Sequence, residues 1–134
     1  MRYLVDTNVF SEPTKPRPNP AVLEWVASQP ADSTAVSAIS LGEAQKGIAL
    51  LEYGKRRAML QQWLTLAMRE QFGGRVLAVT KHVALAWGNI TAADQKRGRV
   101  LQPPDGILLA TAAVHGLRSS PGTSATSKIA ACPS

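Results

Sequence analysis

The chain has 134 residues, 45% of them hydrophobic and 18% charged, which fits one domain of about 150 residues and excludes disorder, collagen or coiled coil over the whole chain. Its 15 basic residues outnumber 9 acidic ones, a formal net charge of +6 that favours polyanionic partners without specifying a fold or a reaction. The longest apolar run, 107–114, falls short of the roughly 18 residues a membrane span needs, Asp6 arrives too early for a secretory leader, and one cysteine, Cys132, cannot form an internal disulfide, which suits a reducing cytoplasm.

Residues 2–5 are predicted as a buried strand, ended by the turn-forming Asp6-Thr7-Asn8. Pro13, Pro16, Pro18 and Pro20, with Lys15 and Arg17 between them, mark an exposed loop. Val22, Leu23, Trp25 and Val26 have helical spacing within 21–29, and 34–37 reads as a second strand. Leu41, Ala44, Ile48 and Leu51 share one side of a helix over 40–51. A longer helix over 55–72 ends at Gly73-Gly74. The apolar stretch 75–79 is a third strand, 82–96 a helix closed by Gly98, and 105–115 a helix that follows Pro103-Pro104 and stops at Gly116. Short, continuously apolar strands alternating with helices imply an α/β fold whose parallel sheet is covered on both faces. Beyond Leu117 the chain turns to Ser119, Ser120, Pro121, Gly122, Ser124 and Ser127 with little to pack. The expected organisation is a domain over 1–117 and an atypical, poorly ordered tail over 118–134.

Three of the nine acids stand apart by their setting. Asp6 ends the first strand, Glu43 lies near the start of the helix after the second, and Asp105 opens the last helix. In an open parallel sheet, strand carboxyl ends and the adjoining helix starts converge on one crevice. Carboxylates gathered there form the hard-oxygen environment that Mg²⁺ or Mn²⁺ prefers. Each acid also has a purely structural reading. Asp6 can cap its own turn, Ser40-x-x-Glu43 fits a capping box, and Pro104-Asp105 suits a helix first turn. Spacing alone leaves both readings open.

Leu4-Val5-Asp6-Thr7-Asn8-Val9, Ser37-Ala38-Ile39-Ser40-Leu41-Gly42-Glu43 and Pro104-Asp105-Gly106-Ile107-Leu108-Leu109-Ala110-Thr111-Ala112 resemble, in order and spacing, the first three signature segments of the PIN-domain nucleases. The chain is most similar to VapC toxins of the FitB-like branch, a match strengthened by Val9-Phe10-Ser11-Glu12-Pro13 and Gly47-Ile48-Ala49-Leu50-Leu51. The resemblance runs from Met1 to about Leu117. It implies a three-layer α/β/α fold with a short central parallel sheet. It also implies a metal-dependent endoribonuclease, the toxin of a type II toxin–antitoxin pair, with Asp6, Glu43 and Asp105 as metal-binding catalytic acids. Asn8 would steady the site, with Thr7 a lesser candidate. Mg²⁺ or Mn²⁺ would be the cofactor, RNA the substrate, an antitoxin with a DNA-binding end the partner, and a cytoplasmic homodimer the state of assembly.

The pattern breaks after Asp105, beyond which the sequence has no Asp or Glu. The family's last strand, roughly Leu-Val-Thr-Arg-Asn with Asp-Phe soon after, is absent in that form, so the last strand is expected to be missing or altered. One permitted back-translation of 118–127, read from its third nucleotide, encodes Leu-Val-Thr-Arg-Asn-Val-Ser-Asp-Phe. The tail is therefore read as a frameshifted remnant of a family C-terminus, and part of the +6 charge as its by-product. Loss of the fourth acid implies weaker metal binding and reduced nuclease activity. It also raises an alternative: a catalytically weak or silent FitB-like module that binds a DNA-binding antitoxin and co-represses transcription.

The remaining features are less specific. Lys55-Arg56-Arg57 and Lys96-Arg97-Gly98-Arg99 suit solvated helix ends and RNA phosphates equally. Trp25, Trp63 and Trp87 occupy apolar helix positions and are expected in the core or a dimer contact. His82 and His115 lack metal-ligand spacing.

Overall fold

Strand geometry explains the layers. Successive side chains of a strand point to opposite faces, so a strand that is apolar throughout needs cover on both. In the computed structural model, which describes residues 2–119, β1 (Tyr3–Val5) lies between β2 (Thr34–Ser37) and β4 (Arg118–Ser119), and β3 (Val76–Leu77) flanks β2. All three pairings are parallel, with Tyr3 opposite Thr34 and Arg118, and Val36 opposite Val76. Val5 and Val36 face one way, into a core with Val9, Phe10, Ile48, Leu64 and Phe72. Leu4 and Ala35 face the other way, onto Leu108, Ala112 and Leu117. Helices α1 (Thr7–Phe10), α2 (Pro20–Ser28), α3 (Ala38–Ala49) and α4 (Lys55–Leu66) supply the first cover; α6 (Pro103–His115), backed by α5 (Lys81–Lys96), supplies the second. The α/β/α layering expected from the sequence is what the chain forms.

Several local outcomes differ from the sequence reading. The turn expected at Asp6-Thr7-Asn8 is instead the start of α1, because the Asp6 side chain accepts from Val9 N at 3.0 Å and burial of Val9 and Phe10 holds the turn closed. Helix α3 begins two residues earlier than expected, with Ser37 as its N-cap accepting from Ile39 N at 3.2 Å. The long helix ends as α-helix at Leu66 and widens into a π-turn over Ala67–Gln71, where Phe72 N donates to Ala67 O at 3.1 Å. That wider turn delivers Phe72 into the core against Phe10, ring centroids 5.9 Å apart. Trp63 stacks on Phe10 at 5.0 Å and Trp25 meets Tyr3 edge-on at 5.1 Å, so both serve packing. The third strand is only two residues long, since β2 ends at Ser37, the partner of Leu77. Among the described residues the fourth strand comprises Arg118–Ser119, with Arg118 N donating to Arg2 O at 2.9 Å. Buried Leu117 leads into it, so the sheet extends two residues past the expected domain limit. The rest of the tail, including Cys132, lies outside the described residues. Between α3 and α4, Gln45 and Gln61 exchange a reciprocal pair of amide hydrogen bonds at 2.7 and 2.9 Å.

Candidate active site

The three acids singled out from the sequence come from three separate elements and meet at the carboxyl end of the central strands. Asp6 follows β1 directly and is buried, 7% exposed. Its Oδ1 caps α1, so the structural reading of this residue holds alongside any chemical one. Glu43 is the sixth residue of α3, and because Ser37 caps that helix, Ser40 and Glu43 form no capping box. Glu43 Oε1 accepts from Thr7 Oγ1 at 3.3 Å instead, across the contact between α1 and α3. The same hydroxyl lies 3.3 Å from the Ser40 carbonyl oxygen. Asp105 sits in the first turn of α6, behind Pro103 and Pro104. That helix packs on α3 and β1.

Electrostatics register the convergence. The Glu43 carboxyl is held above its ordinary value chiefly by partial burial, opposed by the Thr7 hydrogen bond, with further upward pressure from Asp105 and Asp6 and a pull downward from Lys46. Like charges nearby disfavour ionisation, so Glu43 feels both other acids through space. Among the described residues, no three acidic, histidine or cysteine side chains are drawn into a closed ligand sphere; the carboxylates are grouped but not clenched. Hard oxygen donors from three elements, with Glu43 partly desolvated and repelled by the other two, are the donor type a divalent cation takes. Beside them runs an open groove of about 440 Å³ lined by Ile39, Gly42, Glu43, Lys46, Gly47, Leu50 and Pro104.

Asn8 is exposed on α1, one residue from Thr7, which makes the contact to Glu43. Three further features escaped the sequence reading. Ser40 is fully buried beside Thr7 and its Oγ has no partner among the described residues. Glu12 accepts from Asn19 N at 2.7 Å and pairs with Lys15 at 2.6 Å; the Lys15 contact, then the Asn19 N–H, holds its carboxyl below the ordinary value. The proline loop is thus pinned to α1's end. Third, Gly106 is packed against Trp87 of α5. A glycine directly after the third acid was the visible signal for that contact.

A layered α/β/α domain with a short parallel sheet and acids at its carboxyl edge defines a class, and residues 3–119 match the family model described as PIN domain. The chain belongs to the PIN domain family. It is 36% identical over 114 residues to Toxin FitB of Neisseria gonorrhoeae (strain ATCC 700825 / FA 1090), covering 85% of this chain and 82% of that protein. It is 34% identical over 113 residues to VapC ribonuclease Y4jK of Sinorhizobium fredii (strain NBRC 101917 / NGR234), covering 84% and 81%. A solved structure of FitAB bound to the IR36 DNA fragment superimposes with a TM-score of 0.81 at 33% identity, covering 87% of this chain and 82% of that one.

Proposed function

We propose that this chain is a metal-dependent endoribonuclease, the toxin of a type II toxin–antitoxin pair. The observation that carries the reading is the placement of Asp6 directly after β1, Glu43 on α3 and Asp105 in the first turn of α6, with both aspartates near enough to Glu43 to push its carboxyl up. Likeness to a protein named a VapC ribonuclease supports the reaction class. Asp6, Glu43 and Asp105 would hold Mg²⁺ or Mn²⁺, which when bound supplies the means to activate water and to stabilise charge on a phosphodiester. The chain's own part is positional. The Asp6 cap fixes the end of β1, and the Thr7 hydroxyl ties that end to Glu43. Pro103 and Pro104 set the entry of α6, and Lys46 offers a cation to phosphate along the groove beside Glu43.

The partners proposed are RNA, a second copy of the chain and an antitoxin. Largely exposed Leu85 and Val100 support coverage by another chain, and the solved complex of FitAB on DNA supports a DNA-binding partner. A cytoplasmic location fits the single cysteine; no helix of the described residues is long and apolar enough to cross a membrane. The deciding experiment is cleavage of an RNA panel with Mg²⁺, Mn²⁺ or chelator, with Asp105→Asn alongside. Metal-dependent cleavage lost in the variant is the expected result, and cleavage unaffected by Asp105→Asn would refute the site.

One observation favours a second reading. No acid follows Asp105 in the sequence, so the chain lacks the fourth carboxylate of its family pattern. A weak or silent nuclease that works by binding a DNA-binding antitoxin and co-repressing transcription would show no growth arrest on expression and no difference between the chain and its Asp6→Ala variant. Reading the gene's nucleotides across 118–127 tests the frameshift directly.

A further inference from the structure

Helix α6 carries Asp105 in its first turn, yet Gln102 at its N-cap provides no side-chain cap. The two prolines limit the backbone but contribute no donor. Something other than capping must set where this turn sits. A tight contact with α5 lies there. Gly106 is buried, and a Cβ built on it would lie 2.9 Å from both Cδ1 and Nε1 of Trp87, with Thr91 Oγ1 at 3.5 Å. Such distances are below van der Waals contact, so the Trp87 ring lies flush against the α6 backbone one residue past Asp105. Trp87 and Thr91 are four residues apart and share one face of α5. Thr91 Oγ1 is buried there without a hydrogen-bond partner, so shape rather than polar bonding defines this contact.

We propose that Trp87 is a positioning residue: its ring and the missing side chain of Gly106 form a size-matched lock that sets the depth and rotation of α6's first turn, holding Asp105 toward Asp6 and Glu43. A large flat group against a bare backbone admits one separation, because adding a single carbon forces the ring or the helix to move and packed interiors yield little. An indole on a different helix from every one of the three acids thereby fixes one of them in space. The proposal rests on the three acids being a metal site.

The test uses the full chain and Mn²⁺ alone, titrated by calorimetry, with folding checked by circular dichroism. Wild type and Asp105→Asn come first: absence of Mn²⁺ binding, or binding that Asp105→Asn leaves unchanged, overturns the site reading and the lock with it, before any Trp87 variant is measured. With the site established, Gly106→Ala is expected to weaken Mn²⁺ binding by ~10-fold or more, the scale seen when groups supporting a ligand are disturbed. Adding Trp87→Leu to Gly106→Ala makes room for the new carbon, and binding is expected to return to within about twofold of the Trp87→Leu single variant, a departure from additivity that marks the two sites as coupled. An equal cost of Gly106→Ala in both backgrounds overturns the lock. Should Gly106→Ala alone fail to fold, a folded, Mn²⁺-binding double variant is the rescue the lock requires, and a double variant that also fails to fold overturns it.

Discussion

Asp6 has two duties that different substitutions separate. Its Oδ1 accepts from the buried Val9 N–H at 3.0 Å, and the single turn so closed carries Val9 and Phe10, 2% and 3% exposed, into the main core. Replacing a carboxylate cap by alanine costs about 1 kcal/mol, ranging to ~2 where the freed donor is poorly hydrated. In a domain of this size 1 kcal/mol corresponds to roughly 4 °C in melting temperature. Asparagine keeps the accepting oxygen and removes only the charge, and it caps as well as aspartate. Asp6→Ala is therefore expected to melt roughly 4–8 °C below the wild type, while Asp6→Asn melts at or slightly above it because repulsion with Glu43 is relieved. Both are expected to lose RNA cleavage. Thermal melts followed by circular dichroism in chelator isolate the first effect, and cleavage assays with Mn²⁺ report the second. An Asp6→Ala variant that melts with the wild type refutes the capping role, and an Asp6→Asn variant that still cleaves refutes the chemical one.

Other expectations follow from the same site and its supports. Because burial holds the Glu43 carboxyl above the ordinary 4.5, the unfolded chain ionises first as pH climbs, so the native state loses stability from pH 4.5 upward until Glu43 ionises in the folded chain too. Glu43→Gln removes that loss, and its urea midpoint is expected to exceed that of wild type at neutral pH and to match it below pH 4.5, the gap narrowing in high salt. Thr91 Oγ1 is buried without a partner. Thr91→Val keeps the shape and removes the unsatisfied hydroxyl, so a gain of about 1 kcal/mol is expected in a denaturant titration. Mn²⁺ at a hundredfold excess over its Kd is expected to stabilise the folded chain by about 2.7 kcal/mol through mass action; a melt showing the same rise for Asp105→Asn would place the ion elsewhere.

The fold was largely legible because the two central strands set apolar residues side by side, and nothing but cover on both faces accommodates Leu4 beside Val5 or Ala35 beside Val36. Helix edges were less legible. A residue before a helix is identified by where its side chain goes, and Ser37, not Ser40, turns its oxygen back to the helix. Strand lengths were overestimated for a related reason: Val79 is apolar yet exposed, since strand extent depends on a partner's backbone and not on the strand's own residues. The acids stood out by their setting at strand ends and helix starts, the resemblance gave them a metal-binding role, and the structural alternatives of Asp6 and Glu43 were resolved only in three dimensions. For Glu43 the capping box does not form, while for Asp6 the cap does. The contacts of Thr7 and Trp87 cross 36 residues in one case and join two helices in the other, distances over which periodicity carries no information.

A hydroxyl group carries one proton. Thr7 Oγ1 stands 3.3 Å from Glu43 Oε1 and 3.3 Å from the Ser40 carbonyl oxygen, so it can satisfy only one acceptor at a time. Whatever engages the Glu43 carboxylate competes with the Thr7 hydroxyl for that oxygen, and when it wins, the proton turns to the Ser40 carbonyl in the backbone of α3. The acidic site can therefore change occupant without cutting α1 from α3, because both acceptors of this one donor belong to the same helix, where the first strand meets the chemistry.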